Sequence, residues 1–189
     1  LCGCGGGDDD CGEPLYAGNA TDEAWRTMVD GEDHAVAGDP DSPIVLQAQA
    51  SPGRPVVVSG ADDLANPALW VLSSGSVWRA ASVTWSPKQV FADSVRLTAS
   101  TAAPASLPVN SFVWVSGQGL FVNVGGDNPG NHRAEVGRQS YGFLASGRSW
   151  VVIDGFTVTR SELDGIEITN LSSNVTATHN VSTFSGVYG

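Results

Sequence analysis

The sequence predicts an all-β protein: a parallel β-helix, meaning a solenoid of stacked parallel strands, with an inserted antiparallel β domain and a short N-terminal helix. Three observations predict it. Residues 150–189 repeat with a period of about 24, so that Val151, Ile153 and Gly165 recur as Val175, Ala177 and Gly189. Within the repeat, Val151-Val152-Ile153, Phe156-Thr157-Val158, Ile166-Glu167-Ile168 and Val175-Thr176-Ala177 alternate inward apolar with outward polar residues and show no helical period. Between Asp62 and Gln139 this rhythm gives way to short aromatic and β-branched runs, parted by turn clusters about ten residues apart.

In chain order, residues 1–14 are expected to be a lipobox-like remnant and a flexible, self-repelling tether rich in Gly and Asp. Its start, Leu1-Cys2-Gly3-Cys4, resembles a bacterial lipobox, which implies export and acylation at Cys4, with Cys2 an unusual occupant of its position. One acylated cysteine anchors a protein to a membrane surface without spanning it. Cys2, Cys4 and Cys11 also admit a metal cluster, for which a fourth ligand is missing, or a Cys4–Cys11 disulfide. Lipidation of Cys4 would leave Cys11 single.

Residues 15–43 are a cap or linker. Thr21 as N-cap, two acids in the first turn and an apolar stripe of Ala24, Trp25, Met28 and Val29 predict a short helix, able to cover the first coil of a solenoid. Residues 44–62 form the first coil, 63–139 the insert and 140–189 the later coils. The insert's strands are expected around Leu69–Leu72, Ser76–Ala80, Gln89–Ala92, Phe112–Val115 and Leu120–Val124, with Thr98–Pro108 as a surface loop. The last residues stop where a further strand is expected, which suggests that the natural protein continues.

The runs Trp150–Val158, Asp164-Gly165-Ile166 and Ser173–Asn180, with Pro43–Ala48 and Pro55–Asp62, resemble the right-handed parallel β-helix family with the pectate-lyase fold. Gly119–Gly130 is similar to a hairpin and loop of inserts in carbohydrate-active members. The resemblance implies a right-handed solenoid and a polysaccharide or cell-surface glycan as partner. It does not imply one reaction, because the fold hosts lyases, hydrolases, esterases and adhesins. Two functions follow as expectations: the N-terminal part of an exported enzyme acting on polysaccharide, a lyase or glycoside hydrolase, or a non-enzymatic glycan-binding surface protein.

Twenty acidic against nine basic residues give a net charge of -11, which disfavours nucleic acid as a partner. No apolar run is long enough to span a bilayer, so a membrane enters only through a lipid anchor. The chain has no H-E-x-x-H, no G-x-S-x-G and no phosphate-cradling loop. Arg160, Glu162 and Asp164 are the catalytic candidates, since a lyase needs a base and a cationic group, and a hydrolase needs two carboxyls. Solvated turn residues would read the same way. Ca²⁺ is the cofactor to expect if the chain is a lyase. Asp127 and Asn128 offer oxygen ligands for it, although Asp127–His132 is also good turn chemistry. Trp85, before Ser86-Pro87-Lys88, is the tryptophan expected to be exposed for glycan stacking, while the others read as core. His179 reads as an ordinary surface residue, and Asn180 as a structural amide in a corner.

Overall fold

The computed structural model describes residues 40–41, 43–49 and 54–187, so Cys4, the expected helix and the tether lie outside the described residues. The described chain is all-β. Its strands are β1 (Ile44–Gln47), β2 (Val57–Ser59), β3 (Ala61–Asp63), β4 (Val71–Ser74), β5 (Val77–Ala80), β6 (Val90–Ala92), β7 (Val95–Arg96), β8 (Thr98–Ala99) and β9 (Ser111–Val115). They continue as β10 (Gly119–Asn123), β11 (Glu135–Gly137), β12 (Tyr141–Ser146), β13 (Ser149–Asp154), β14 (Thr157–Thr159), β15 (Asp164–Thr169), β16 (Ser173–Thr178) and β17 (Val181–Thr183). Among the described residues no helix is long and apolar enough to cross a membrane.

Three sheets are wholly parallel: β1-β13-β16, β2-β14-β17 and β12-β15. The register sets Val151 beside Val175 and Ile153 beside Ala177, the same residues whose recurrence the sequence displays. Ser149 and Ser173, 24 residues apart, hydrogen-bond through their hydroxyls at 2.8 Å. Backbone corners keep the same interval, because left-handed residues recur as Trp150 and Asn174, Gly155 and His179, and Arg160 and Phe184. Asn180 sits in one such corner. Its amide donates to the Ile153 carbonyl at 2.8 Å and accepts the Phe156 N–H at 2.9 Å, satisfying groups the bend would leave bare. Phe143, Val151, Ile153, Phe156, Val158 and Val58 fill the space between the sheets. The second turn is one residue longer at Asn170-Leu171-Ser172 than at Gly147-Arg148, and Leu171 is left fully exposed there.

The insert carries a five-stranded sheet, β4-β5-β10-β9-β8, and a four-stranded one, β3-β11-β6-β7. Pairing is antiparallel except between β8 and β9, which run parallel. Leu64, Trp70, Val83, Val90, Leu120, Val122 and Val136 form its core. Two local expectations change. Leu69 ends a 3-10 turn started by Asn66-Pro67, so the strand begins at Val71. Thr98–Pro108 is not a bare surface loop. It holds β8 and a 3-10 turn at Pro104–Ser106, and it is tied down by buried Leu107, whose carbonyl accepts from the Asn123 amide at 2.8 Å.

The insert leaves the parallel body at Gly60 and returns at Gln139. The Gly60 N–H donates to Thr159, while its carbonyl accepts both Arg138 and Gln139 N–H groups at 2.9 Å. A side chain at Gly60 would meet the Ser161 backbone at 2.7 Å, so only glycine fits this crossing.

Candidate functional site

The three catalytic candidates separate in space according to what surrounds them. Arg160 follows β14 in a left-handed conformation, which turns its side chain out of the β2-β14-β17 sheet and into the junction with the insert. Its guanidinium lies 5.0 Å from the Phe91 ring and 5.8 Å from the Phe184 ring, which themselves meet edge to face at 5.4 Å, and it is 3.1 Å from the Glu135 carboxylate. Both charged groups are almost wholly covered.

Glu162 is buried two residues further on. Its carboxylate accepts the backbone N–H groups of Lys88 at 2.6 Å and Gln89 at 3.2 Å, while Gln89 returns a hydrogen bond from its amide to Ser161 at 2.6 Å. Burial pushes the Glu162 carboxyl up from its usual range, and the two N–H donors and the charges of Lys88 and Arg96 work against that rise. A carboxylate held by backbone donors of another element is a clasp. Arg160 and Glu162 therefore fasten the insert to the parallel sheets, and neither reaches open solvent where a polymer could meet it.

Asp164 opens β15 beside Tyr141 of β12 and remains partly exposed. A hydrogen bond with Asp164, more than burial, raises the Glu167 carboxyl above its ordinary range.

Asp127 and Asn128 lie in the loop before β11. The Asp127 carboxylate accepts the Asn128 N–H at 2.7 Å and the Asn131 amide at 3.3 Å, and these bonds, the Asn128 one first, lower its pKa. His132 stands between two acids. Its Nδ1 is 2.9 Å from Asp93, and its Nε2 makes a longer, poorly aligned contact of 3.3 Å with Asp127. The hydrogen bond to Asp93 raises the His132 pKa. With the two carboxylates at opposite ring nitrogens, the group clips the β6–β7 turn to the 127–132 loop. Among the described residues no group of three or more His, Cys, Asp or Glu is arranged to hold a metal ion. The Asn128 side chain accepts the Gly130 N–H at 2.9 Å and donates to Pro67 at 3.1 Å, so it is engaged in the turn itself.

Trp85 is half-buried, contrary to the expected exposure. Its indole N–H donates to Gly137 at 2.7 Å, its ring packs on the insert core, and Arg138 lies 4.7 Å from the ring centroid. Arg138 is itself held by Asp62 at 2.9 Å. The physical reason is the buried indole nitrogen, which needs an acceptor and finds one only inward. Trp70, Trp78 and Trp114 are likewise tied through N–H bonds to backbone carbonyls.

Sequence reading missed one pair. His179 Nδ1 lies 2.9 Å from Asp154 Oδ1, and the other Asp154 oxygen accepts the Gln47 amide at 3.0 Å. The signal was present in the 24-residue register, which sets Asp154 beside Thr178 and so brings the next residue within its reach.

No protein-family model matches the chain, and no curated protein matches it. Among solved structures, the chain is similar to one described as "The complex structure of XylC with xylose", at 14% identity and a TM-score of 0.49. The match covers 70% of this chain and 32% of that one, so the chain spans about a third of the length of the structure it matches.

Proposed function

We propose that this chain is the N-terminal part of an exported right-handed parallel β-helix protein that cleaves polysaccharide, with Glu167 as general acid and Asp164 as the group that holds its proton. What supports this reading is the body of three parallel sheets with its 24-residue register, and the place of Asp164 and Glu167 together on β15, where Asp164 raises the Glu167 carboxyl above its ordinary range. Protonation of a leaving glycosidic oxygen needs such a group. Flanking a glycosidic bond takes two carboxyls about 5 to 5.5 Å apart in a retaining enzyme and about 6.5 to 9.5 Å apart in an inverting one, whereas Asp164 acts on Glu167 through a hydrogen bond. On this reading they act together as one acid. A hydrolase fits better than a lyase, since a net charge of -11 repels the polyuronates that lyases cleave. Acylation at Cys4 would hold the protein at the membrane surface, which mass spectrometry of the native N-terminal peptide tests.

A second reading, a non-enzymatic glycan-binding protein, is favoured by the outer side of the β1-β13-β16 sheet, where Val45, Val152 and Thr176 form one transverse row and Gln47, Asp154 and Thr178 the next. Incubating the full-length protein with neutral and acidic polysaccharides, with Ca²⁺ and with chelator, separates the two. New reducing ends without unsaturated-product absorbance support the hydrolase. Absorbance as well establishes a lyase, and binding without cleavage leaves the second reading.

A further inference from the structure

The outer side of β1-β13-β16 carries a histidine held in one orientation. Gln47, Asp154 and Thr178 are neighbours across the three strands, and His179 follows at the corner. One turn earlier that corner is Gly155, and both residues adopt a left-handed backbone, with φ of 82° at Gly155 and 52° at His179. Glycine takes this conformation freely, whereas a residue with a β-carbon loses on the order of 1 kcal/mol there. The histidine gains in return a ring directed back over Asp154.

Asp154 is fixed in turn. His179 first and Gln47 second lower its pKa, so at neutral pH it is an ionised acceptor. An ionised carboxylate cannot donate, so the proton of a neutral ring must sit on Nδ1, and Nε2 presents its lone pair. The His179 side chain is 80% exposed, so that lone pair meets solvent. Two residues along the strands from Asp154, about 7 Å away, lies the row of Val45, Val152 and Thr176, with Val152 on the strand next to that of His179 and Val45, 54% exposed, one strand further. An apolar strip next to an oriented proton acceptor matches a sugar ring, which has an apolar face and a hydroxyl edge. The Asp154 charge and the overall -11 select against a uronate.

From this geometry we infer that Asp154 and His179 form a recognition site for a neutral saccharide unit on the β1-β13-β16 sheet. His179 Nε2 accepts a hydrogen bond from a sugar hydroxyl, Val45 and Val152 meet the apolar face, and Asp154 and Gln47 are positioning residues. The inference rests on the proposed action on polysaccharide and names a second place where the polymer is held, on a different sheet from Glu167.

The test is affinity electrophoresis of the full-length protein in gels containing neutral xylan, neutral β-glucan or polygalacturonate, with nitrogen-15 spectra of the histidine rings. The wild type is expected to be retarded by a neutral polymer, and His179→Ala to lose about tenfold in affinity, the worth of one good hydrogen bond. The exposed position makes that variant safe for folding, which a thermal melt checks. Asp154→Asn should turn the wild-type Nδ1–H ring into a mixture of tautomers and weaken binding with the melting temperature unchanged, and that loss of binding is what a merely structural aspartate would not produce. Undiminished retention of His179→Ala, a wild-type ring protonated on Nε2, or retention by polygalacturonate alone overturns the site while leaving the proposed function standing. A wild type that is retarded by none of the polymers and cleaves none of them overturns both.

Discussion

At the residue scale, the same side-chain types serve opposite ends depending on what reaches them. His132 and His179 each face an aspartate, but His132 has carboxylates at both ring nitrogens and His179 at one. The first is a clip and the second keeps an unspent lone pair. The clip has a pH signature. His132 has a raised pKa, so its stabilisation is full below the ordinary value of 6.5 and is lost as pH rises through the raised one. Asp127 has a lowered pKa, so its share is present above 3.8 and is lost as pH falls through the lowered value. Thermal melts of wild type and His132→Gln should therefore differ most between about pH 4 and 6.5 and converge in alkali. A gap that widens with rising pH would show that the ring is held neutral instead.

At the element scale, the insert is bound to the parallel sheets by charge and backbone donors together with ring contacts. Arg160 and Glu135 are 12% and 11% exposed, and Arg160→Ala would leave Glu135 without its ion-pair partner beside Phe91. Breaking a covered pair from one side costs about 3 kcal/mol. Chemical denaturation should show that loss, with cleavage unchanged once the variant is folded. Glu162→Gln should cost about 1 to 3 kcal/mol, because its amide NH₂ would face a backbone N–H where the carboxylate accepted one. The Glu162 carboxyl titrates above its usual 4.5, so its contribution falls as pH rises from that value, and the Gln variant should lose this slope. If Arg160→Ala instead abolished cleavage with no loss of stability, the clasp would be a working part of the site.

The strands of the repeat were legible because a two-residue alternation combined with a fixed interval leaves little choice of register: Val151, Ile153, Val175 and Ala177 pair as their recurrence requires. β12 was not, since Gly142 interrupts the apolar run there. A β-carbon at Gly142 would lie 2.1 Å from Val158, so its absence is a packing need that only the folded chain reveals. The candidate acids were legible as a set and not as roles. Nothing near Glu162 in sequence announces that Lys88 and Gln89, more than 70 positions away, supply its donors. Asp164 kept a surface position, and its partnership with Glu167 depends on how β15 starts.

For the molecule as a whole, an antiparallel insert rises from a parallel body at one glycine crossing, and the acids divide between the two regions by burial. Those at the junction hold the parts together. Asp164–Glu167 and Asp154–His179 lie on sheets with open outer sides, and on this account the polymer meets the protein there. The central claim is that Glu167 donates the proton, and the most direct measurement is the turnover of full-length Glu167→Gln on a polysaccharide that the wild type cleaves. Removing a general acid should lower turnover by about 100-fold or more with an unchanged melting temperature. Wild-type turnover in that variant would contradict the account.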